Sequence, residues 1–296
     1  MKAKTLKKHK LSLWPALFVG PHLIVFLLFF VVPSVFGLYI SFTKWDLFRH
    51  PQWVGLKNYT EVLFNSQSIY HFQFMNGLKN TVLFVIFSTP FLVMIPLGIA
   101  VLLNLKPRFA KIFQSVFYLP SLFAISAVMI IWSFLASPSF GPLKSVFGIK
   151  TEVLNTQPSA WIAIVIVTIW WTIGGNMIIY QAALNGVSKE TLEAAGLDGA
   201  NAWQKFTKVI LPDIRFQLLF TTVTTTIAQF NVYGQPLMLT GGGPNNSTRV
   251  LMMDIQNNVF GTGVAQAGVS SAMAFLLGLV IMAVSAVQFF LLRNND

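Results

Sequence analysis

The sequence predicts an all-α integral membrane protein with six transmembrane helices and one cytoplasmic helix–turn–helix loop. Its composition favours a membrane class: 55% of the 296 residues are hydrophobic, 10% are charged and the mean hydropathy is +0.67, whereas soluble domains carry about 25% charged residues. Six runs without Lys, Arg, Asp or Glu are each long enough to cross a bilayer as a helix, which takes about 20 residues. A polar stretch at 187–213 interrupts this pattern between the fourth and fifth runs and concentrates the scarce acidic residues.

The six spans follow from the charge-free runs. We expect their cores at 13–42, 80–104, 113–136, 159–185, 216–239 and 268–292. The first run is far longer than the 7–15-residue apolar core of a signal peptide and lacks a convincing small-residue cleavage site, so an uncleaved helix is expected. An even number of spans puts both ends of the chain on one side.

The Lys and Arg residues set the predicted orientation. Thirteen of the 20 fall in the tail 1–12, the loop 106–111, the loop 185–215 and at Arg293, and seven fall on the other side. The denser set belongs in the cytoplasm, which places the polar stretch and both termini there. Because these charges are dispersed among the spans, they do not indicate nucleic-acid binding. The absence of cysteine excludes disulfides, thiolate metal sites and cysteine nucleophiles.

The polar stretch 187–213 has the pattern of two short helices. Ser188 is placed to cap the first helix, Gly199 to end it and Asn201 to cap the second. The second helix carries an apolar stripe, formed by Trp203, Phe206 and Ile210. Pattern alone leaves two interpretations open: an amphipathic segment in the membrane interface, or a rigid lever inserted into a groove of a cytoplasmic protein.

A family resemblance bears on this choice. Glu193-Ala194-Ala195, Gly199 and Leu211-Pro212 resemble the EAA loop of importer permeases of the ATP-binding cassette (ABC) class, with Val209 where that family has isoleucine. Other segments resemble the carbohydrate-uptake branch of the class, which includes the maltose and glycerol-phosphate permeases. These segments are Gly55-Leu56-Lys57-Asn58-Tyr59, Asn80-Thr81, Tyr118-Leu119-Pro120 and Leu239-Thr240-Gly241-Gly242-Gly243-Pro244.

The resemblance implies that the loop docks on an ATPase subunit. The coupling residues it implies, with Asp198 added because it lies within the motif, are Glu193, Ala194, Ala195, Asp198, Gly199, Leu211 and Pro212. The chain has no Gly-x-x-x-x-Gly-Lys-Ser/Thr phosphate loop. ATP and Mg are therefore expected on partner ATPase subunits, with no cofactor, metal site or catalytic residue on this chain. The implied partners are a second homologous permease, two ATP-binding cassette ATPase subunits, an extracytoplasmic sugar-binding protein and membrane lipid.

Neutral polar residues in the fourth and fifth spans are the candidates for a substrate path. They are Thr172, Asn176, Tyr180, Gln229, Asn231, Tyr233 and Gln235. Amides and hydroxyls can bond sugar hydroxyls, and the resemblance aligns Gln229 and Asn231 with positions that contact sugar. The alternative is hydrogen bonding between helices, worth about 0.6 kcal/mol per contact in membranes. No charged residue falls in a predicted span core, which argues against a proton relay or a buried ion site.

The expected function is that of a permease subunit of an ATP-driven sugar or oligosaccharide importer, and not that of an enzyme. Residues 1–296 would form one domain in the bacterial inner membrane, with a basic tail (1–12), a six-helix region (13–292) and the loop 187–213. Two alternatives remain open: an ion-coupled secondary transporter, and an ABC permease for a non-sugar solute. A membrane-embedded enzyme is disfavoured, because no paired intramembrane carboxylates or histidine clusters occur in the sequence.

Overall fold

The computed structural model describes residues 13–139, 141, 142, 146, 148 and 152–293. The predicted basic tail 1–12 lies outside these residues. The elements of the first half are α1 (Leu13–Phe26), a π-helical turn (Leu27–Val31), α2 (Val32–Ser41), β1 (Thr43–Lys44), β2 (Gln52–Trp53), α3 (Lys57–Phe64), α4 (Ile69–Asn104), α5 (Ala110–Tyr118), a 3-10 turn (Leu119–Leu122) and α6 (Ile125–Leu135).

The second half continues the helical pattern. Its elements are α7 (Ser159–Asn185), α8 (Lys189–Leu197), α9 (Ala202–Lys205), a π-helical turn (Phe206–Ile210), α10 (Leu211–Asp213), α11 (Arg215–Phe230), α12 (Gly234–Thr240), α13 (Leu251–Phe260) and α14 (Ala267–Arg293). The two short strands pair antiparallel, with Thr43 opposite Trp53.

Within the described residues, four helical segments are long and apolar enough to cross a membrane: Leu17–Ser41, Ile69–Asn104, Ser159–Asn185 and Ala267–Leu291. They coincide with the first, second, fourth and sixth predicted spans. The count rises to five if α5 and α6 are taken as one broken span, since Ala110–Leu122 and Ile125–Leu135 meet at an angle of 100°. The prediction of one continuous helix over 113–136 is therefore wrong.

The prediction of one continuous helix over 216–239 is also wrong. Helix α11 ends at Phe230 and α12 begins at Gly234. The 16 residues of α11 rise about 24 Å, less than the roughly 30 Å of bilayer hydrocarbon. Pro236 near the start of α12 explains part of this break, because proline has no N–H to bond to a preceding carbonyl.

Helix α4 connects the two ends of the bundle. Its 36 residues rise about 54 Å. Near its first turns lie the β1–β2 hairpin, α3, the turn after Thr240 and α13. Near its last turn, Leu103 packs with Val187 and Ile214, so the polar stretch lies at the opposite end.

Between these ends, α4 packs along α7, and close backbone approaches hold the neighbouring elements. A Cβ on Gly174 of α7 would lie 2.7 Å from Cα of Tyr118, so this glycine allows the two backbones to pack closely. Near the first turns of α4, a Cβ on Gly77 would lie 2.8 Å from Cα of Leu251 in α13. Such contacts admit only glycine, because they join backbone to backbone.

Two of the sequence motifs form junctions at the end of the bundle that carries the hairpin. Asn58 is 6% exposed, and its Nδ2 donates to the carbonyls of Ser41 and Thr43, each at 2.8 Å. Asn80 does the same for the turn after Thr240, donating to the carbonyls of Asn246 and Arg249, each at 2.9 Å. These amides satisfy carbonyls at the end of α2, in β1 and in the turn after Thr240, since buried backbone groups require partners.

Candidate coupling loop and transport path

The first helix of the polar stretch, α8, has defined ends. The Ser188 hydroxyl accepts from the N–H of Thr191 at 3.2 Å, as the sequence predicts. At the other end the N–H of Ala200 donates to the Ala195 carbonyl at 2.9 Å, and that of Gly199 to the Gly196 carbonyl at 3.1 Å. This pair of bonds is a Schellman ending, and it requires the positive φ of +80° that Gly199 adopts.

The next helix begins at the predicted cap. Asn201 accepts from the N–H of Gln204 at 2.9 Å, and Gln204 Oε1 accepts from the N–H of Asn201 at 2.8 Å. This reciprocal capping box fixes the start of α9. The helical path then continues through the π-helical turn to Pro212 and joins α11 through Ile214, which is 1% exposed. The segment between the caps at Ser188 and Asn201 is therefore short and well defined.

One face of this stretch is anchored in the bundle. The side chains that pack against the buried cluster formed by the ends of α4 and α7 are Leu192, Phe206, Ile210 and Leu211. Only part of the predicted apolar stripe is therefore anchored: Phe206 and Ile210 pack against the cluster, whereas Trp203 is 70% exposed. Leu197 is 91% exposed. The polar stretch and the ends of α4 and α7 thus share one packed cluster.

Within the described residues the other face is exposed, and most of its residues are small or acidic. Exposed members of the predicted coupling set are Glu193, Ala194, Asp198, Gly199 and Pro212, while Ala195 and Leu211 are half-buried. Beside them, the Ser188 hydroxyl lowers the pKa of Glu190 by bonding its carboxylate. Small residues next to exposed apolar ones allow a partner surface to approach the backbone closely.

The three polar residues predicted on α7 make hydrogen bonds within the chain, and two of them join α7 to other helices. Thr172 donates to its own helix at the Thr168 carbonyl, 2.7 Å away. Asn176 donates to the Leu92 carbonyl of α4 at 3.0 Å and to Thr225 of α11 at 2.9 Å. Tyr180 is fully buried and its hydroxyl lies 2.6 Å from that of Thr221. Their polar atoms are therefore engaged within the chain.

Replacing Tyr180 by phenylalanine is expected to lower the free energy of unfolding by about 0.6 kcal/mol, the usual value of such a bond in a membrane, and to leave transport unchanged. Thermal unfolding of Tyr180→Phe, Thr221→Val and the double variant measures the coupling between the two hydroxyls. The loss should vanish in the Thr221→Val background. A fall in uptake larger than the fall in folded protein would instead assign Tyr180 to the path.

Threonines are the commonest residue of α11, and their hydroxyls bond within the helix. Those of Thr221, Thr224 and Thr226 donate to carbonyls four residues back, at 2.8, 2.7 and 2.8 Å. Thr226 also accepts from Gln288 of α14 at 2.9 Å. These contacts give the threonines a role in packing within the bundle.

The path residues of the fifth span lie around the break between α11 and α12. Gln229 and Gln235 are 7% and 8% exposed. Asn231 is exposed and donates to the Ile227 carbonyl at 2.7 Å. Tyr233 is half-buried and borders a polar pocket. Non-helical backbone at membrane depth is tolerated only where it is buried in protein or lines a cavity, so the break marks a place where a path can run.

The polar pocket beside Tyr233 was not predicted from the sequence. It has a volume of about 260 Å³ and lies between α12 and α13, with Arg249, Gln256 and Asn257 in its wall. Arg249 Nε donates to the fully buried Asp254 at 2.5 Å. Burial raises the pKa of Asp254, and the guanidinium opposes this rise. The polar residues at 254–258 were the sequence signal for this pocket. That they lie beside Tyr233 depends on the fold.

A helical bundle with four or five segments long and apolar enough to cross a membrane is the fold of a multi-pass membrane protein. The chain belongs to the family of binding-protein-dependent transport system inner membrane components, whose model matches residues 62–296. It is thus an ABC transporter permease subunit and not an enzyme.

Individual relatives are distant but align over most of the chain. The probable ABC transporter permease protein YesP of Bacillus subtilis is 31% identical, over 97% of this chain and 92% of that protein. The probable starch degradation products transport system permease protein AmyD of Thermoanaerobacterium thermosulfurigenes is 28% identical over 99% of both. A bacterial ABC transporter involved in import of the acidic polysaccharide alginate has the same fold, with a TM-score of 0.73 and 22% identity over 96% of both chains.

Proposed function

We propose that this chain is the membrane permease of an ATP-driven importer of sugars or oligosaccharides, and that the stretch 187–213 couples it to separate ATPase subunits. The observation that carries the proposal is that this stretch has one anchored face and one exposed face. Apolar side chains anchor one face to the ends of α4 and α7. The other face exposes Glu193, Gly199 and Trp203.

The proposed complex contains a second homologous permease, two ATPase subunits that bind ATP and Mg, and an extracytoplasmic sugar-binding protein. The chain would lie in the bacterial inner membrane with both termini in the cytoplasm, as the positive-inside rule implies. The family description supports a binding-protein partner. A solved alginate importer of the same fold is bound to a pentasaccharide-loaded periplasmic protein, with a TM-score of 0.71 and 21% identity.

Alternating access is the mechanism that we propose. ATP binding closes the ATPase subunits, which shifts α8 and α9 and, through Leu192 and Phe206, the ends of α4 and α7. The helices then open the path to one side of the membrane at a time. Hydrogen-bonding residues near the break, Gln229, Asn231, Tyr233 and Gln235, would contact the passing sugar. The chain makes and breaks no covalent bond.

Sugar as cargo is supported by the substrates for which relatives are named. AmyD is named as a permease for starch degradation products. A multiple sugar-binding transport permease of Streptococcus mutans is 28% identical over 99% of this chain. The test is uptake of labelled mono- and oligosaccharides into proteoliposomes that contain the whole complex. Uptake should require ATP inside. Uptake that survives ATP depletion and collapses with an ion gradient would contradict the proposal.

Replacing Asn231 or Gln229 by leucine is expected to lower sugar uptake about five- to tenfold, since each change removes a hydrogen bond worth roughly 1 kcal/mol. Assembly of the complex should be unchanged. Thr224→Val is the matched control, because Thr224 is exposed on the same helix and its hydroxyl already bonds the Phe220 carbonyl at 2.7 Å. Normal uptake by both leucine variants would remove these residues from the path.

A further inference from the structure

The polar pocket between α12 and α13 has features of a ligand site that the proposed path does not include. Tyr233 at the helix break forms one side of it, and Gln256, Asn257 and Phe260 of α13 form another. Arg249 and the backbone of Gly241 close the wall. The pocket therefore begins at the proposed path and extends along the loop that follows Thr240.

Hydrogen-bonding groups in this wall remain available to a ligand. Gln256 Oε1 is buried and has no hydrogen-bond partner within the described part of the chain. That oxygen has almost no accessible surface, so the Gln256 side chain must rotate before the oxygen can accept a hydrogen bond from a ligand. A buried acceptor without a partner costs about 1–3 kcal/mol, so rotation toward a ligand with hydroxyl or amide donors is favoured. Arg249 bonds Asp254 through Nε, which leaves the two terminal nitrogens of its guanidinium for a second partner.

The charge of the pocket favours an uncharged ligand. Arg249 is the one charged residue among those lining it. Asp254, fully buried behind the wall, lies 2.5 Å from that guanidinium and balances its charge. The other polar residues of the wall are amides and a phenol. An anionic sugar would lose its hydration here without finding an excess positive charge in return.

The size and surface of the pocket indicate the kind of ligand. About 260 Å³ is smaller than the roughly 300–1,000 Å³ of sites for drug-sized ligands, so the pocket suits one small ring. Tyr233 and Phe260, which is 77% exposed, supply apolar ring faces beside the amides. Aromatic faces with a few convergent polar groups are the usual lining of a small-molecule site.

We propose that this pocket is a subsite for one uncharged sugar unit, bound by Arg249, Gln256 and Asn257 before the sugar reaches the break at Tyr233. This inference rests on the proposed function and names the class of sugar that it admits. It separates this chain from proteins named for acidic substrates, such as the alginate importer and the glycerol-3-phosphate permease UgpA of Agrobacterium fabrum, which is 28% identical over 93% of both chains.

The absence of cysteine allows a direct test. In the assembled importer, a single cysteine at Asn257→Cys is labelled with a membrane-impermeant maleimide, with and without maltotriose. Maltotriose should slow labelling of this subunit about fivefold at a concentration four times its dissociation constant, by simple occupancy. Gln67→Cys is the control, because Gln67 is exposed near the start of α4 and does not line the pocket. Its labelling should not change.

Trigalacturonate, an acidic trisaccharide, is the second probe and should not protect Asn257→Cys. Protection by trigalacturonate alone would overturn the assigned ligand class. A cysteine that is never labelled, or labelled equally in all conditions while the importer takes up neutral sugars, would overturn the subsite and leave the proposed function intact. Absence of ATP-dependent uptake of any saccharide by the unmodified complex would overturn the proposed function itself.

A transport measurement provides an independent check. Gln256→Met keeps the length of the side chain and removes its unpartnered oxygen. The concentration of neutral oligosaccharide that gives half-maximal uptake should rise about fivefold, as for one lost hydrogen bond, with the maximal rate nearly unchanged. A lower maximal rate with an unchanged half-maximal concentration would make Gln256 a structural residue and contradict its role in binding.

Discussion

Replacing Gly199 by valine is expected to lower ATP-driven uptake at least about tenfold while the chain still inserts and assembles. Gly199 has a φ of +80° and lies in open space, so the obstacle is backbone conformation and not collision. A β-branched residue in this region costs of order 1–3 kcal/mol. The Schellman ending would open, and α9 would leave α8 at a different angle. ATP hydrolysis and uptake measured together in proteoliposomes should show hydrolysis without transport.

Two controls separate this effect from a general intolerance of substitution. Asparagine adopts left-handed conformations more readily than other non-glycine residues, so Gly199→Asn should retain much of the uptake. Gly175→Ala, at an exposed helical glycine with nothing near its missing Cβ, should behave as the unmodified chain. Full uptake by Gly199→Val would show that the geometry of this turn is not needed for coupling.

Replacing Gly268 by valine should have the largest effect on folding. A Cβ at Gly268 would overlap the Thr43 carbonyl and lie 2.9 Å from Nδ2 of Asn58. The side chain must push β1 away from α14 and break the bonds by which Asn58 holds the end of α2. Overpacking costs about 1–3 kcal/mol, and an unsatisfied buried amide costs a similar amount.

We expect little or no monodisperse Gly268→Val protein in detergent, and a lowered unfolding temperature in whatever is recovered. Gly278→Val is the matched control on the same helix, because nothing lies within 4 Å of its missing Cβ. Fluorescence-detected size-exclusion chromatography and thermal unfolding compare the two. If both variants elute and unfold alike, the junction at Thr43 tolerates displacement and contributes little to the fold.

Long helices of this fold were predictable because hydropathy accumulates over a whole span. The breaks in the third and fifth predicted spans could not be predicted in this way. A hydropathy average over many residues does not show the position at which one backbone carbonyl loses its helical hydrogen bond. The early start of α4 at Ile69 has a related cause. Its first turns are polar, and Asn76 and Asn80 are satisfied by carbonyls of a loop about 170 residues away.

Some features of the candidate site could also be predicted from the sequence, and others could not. Ser188 and Asn201 cap their helices through bonds to residues three positions ahead, and such local chemistry is visible in sequence. The four-residue spacing of Asn176 and Tyr180 places both on one face of α7 but does not identify what that face meets. Two other helices meet it. The polar pocket depends on contact between α12 and α13, which no local pattern encodes.

The threonines of α11 have a consequence for how such helices meet their surroundings. A hydroxyl directed to a carbonyl one turn back is already satisfied, so the exposed Thr224 needs no water to satisfy its donor. Threonine in this state has nearly the outline of valine, and the helix surface repels water more than its composition suggests. Hydropathy scales measure a free hydroxyl and therefore underrate the tendency of such a segment to leave water for a bilayer.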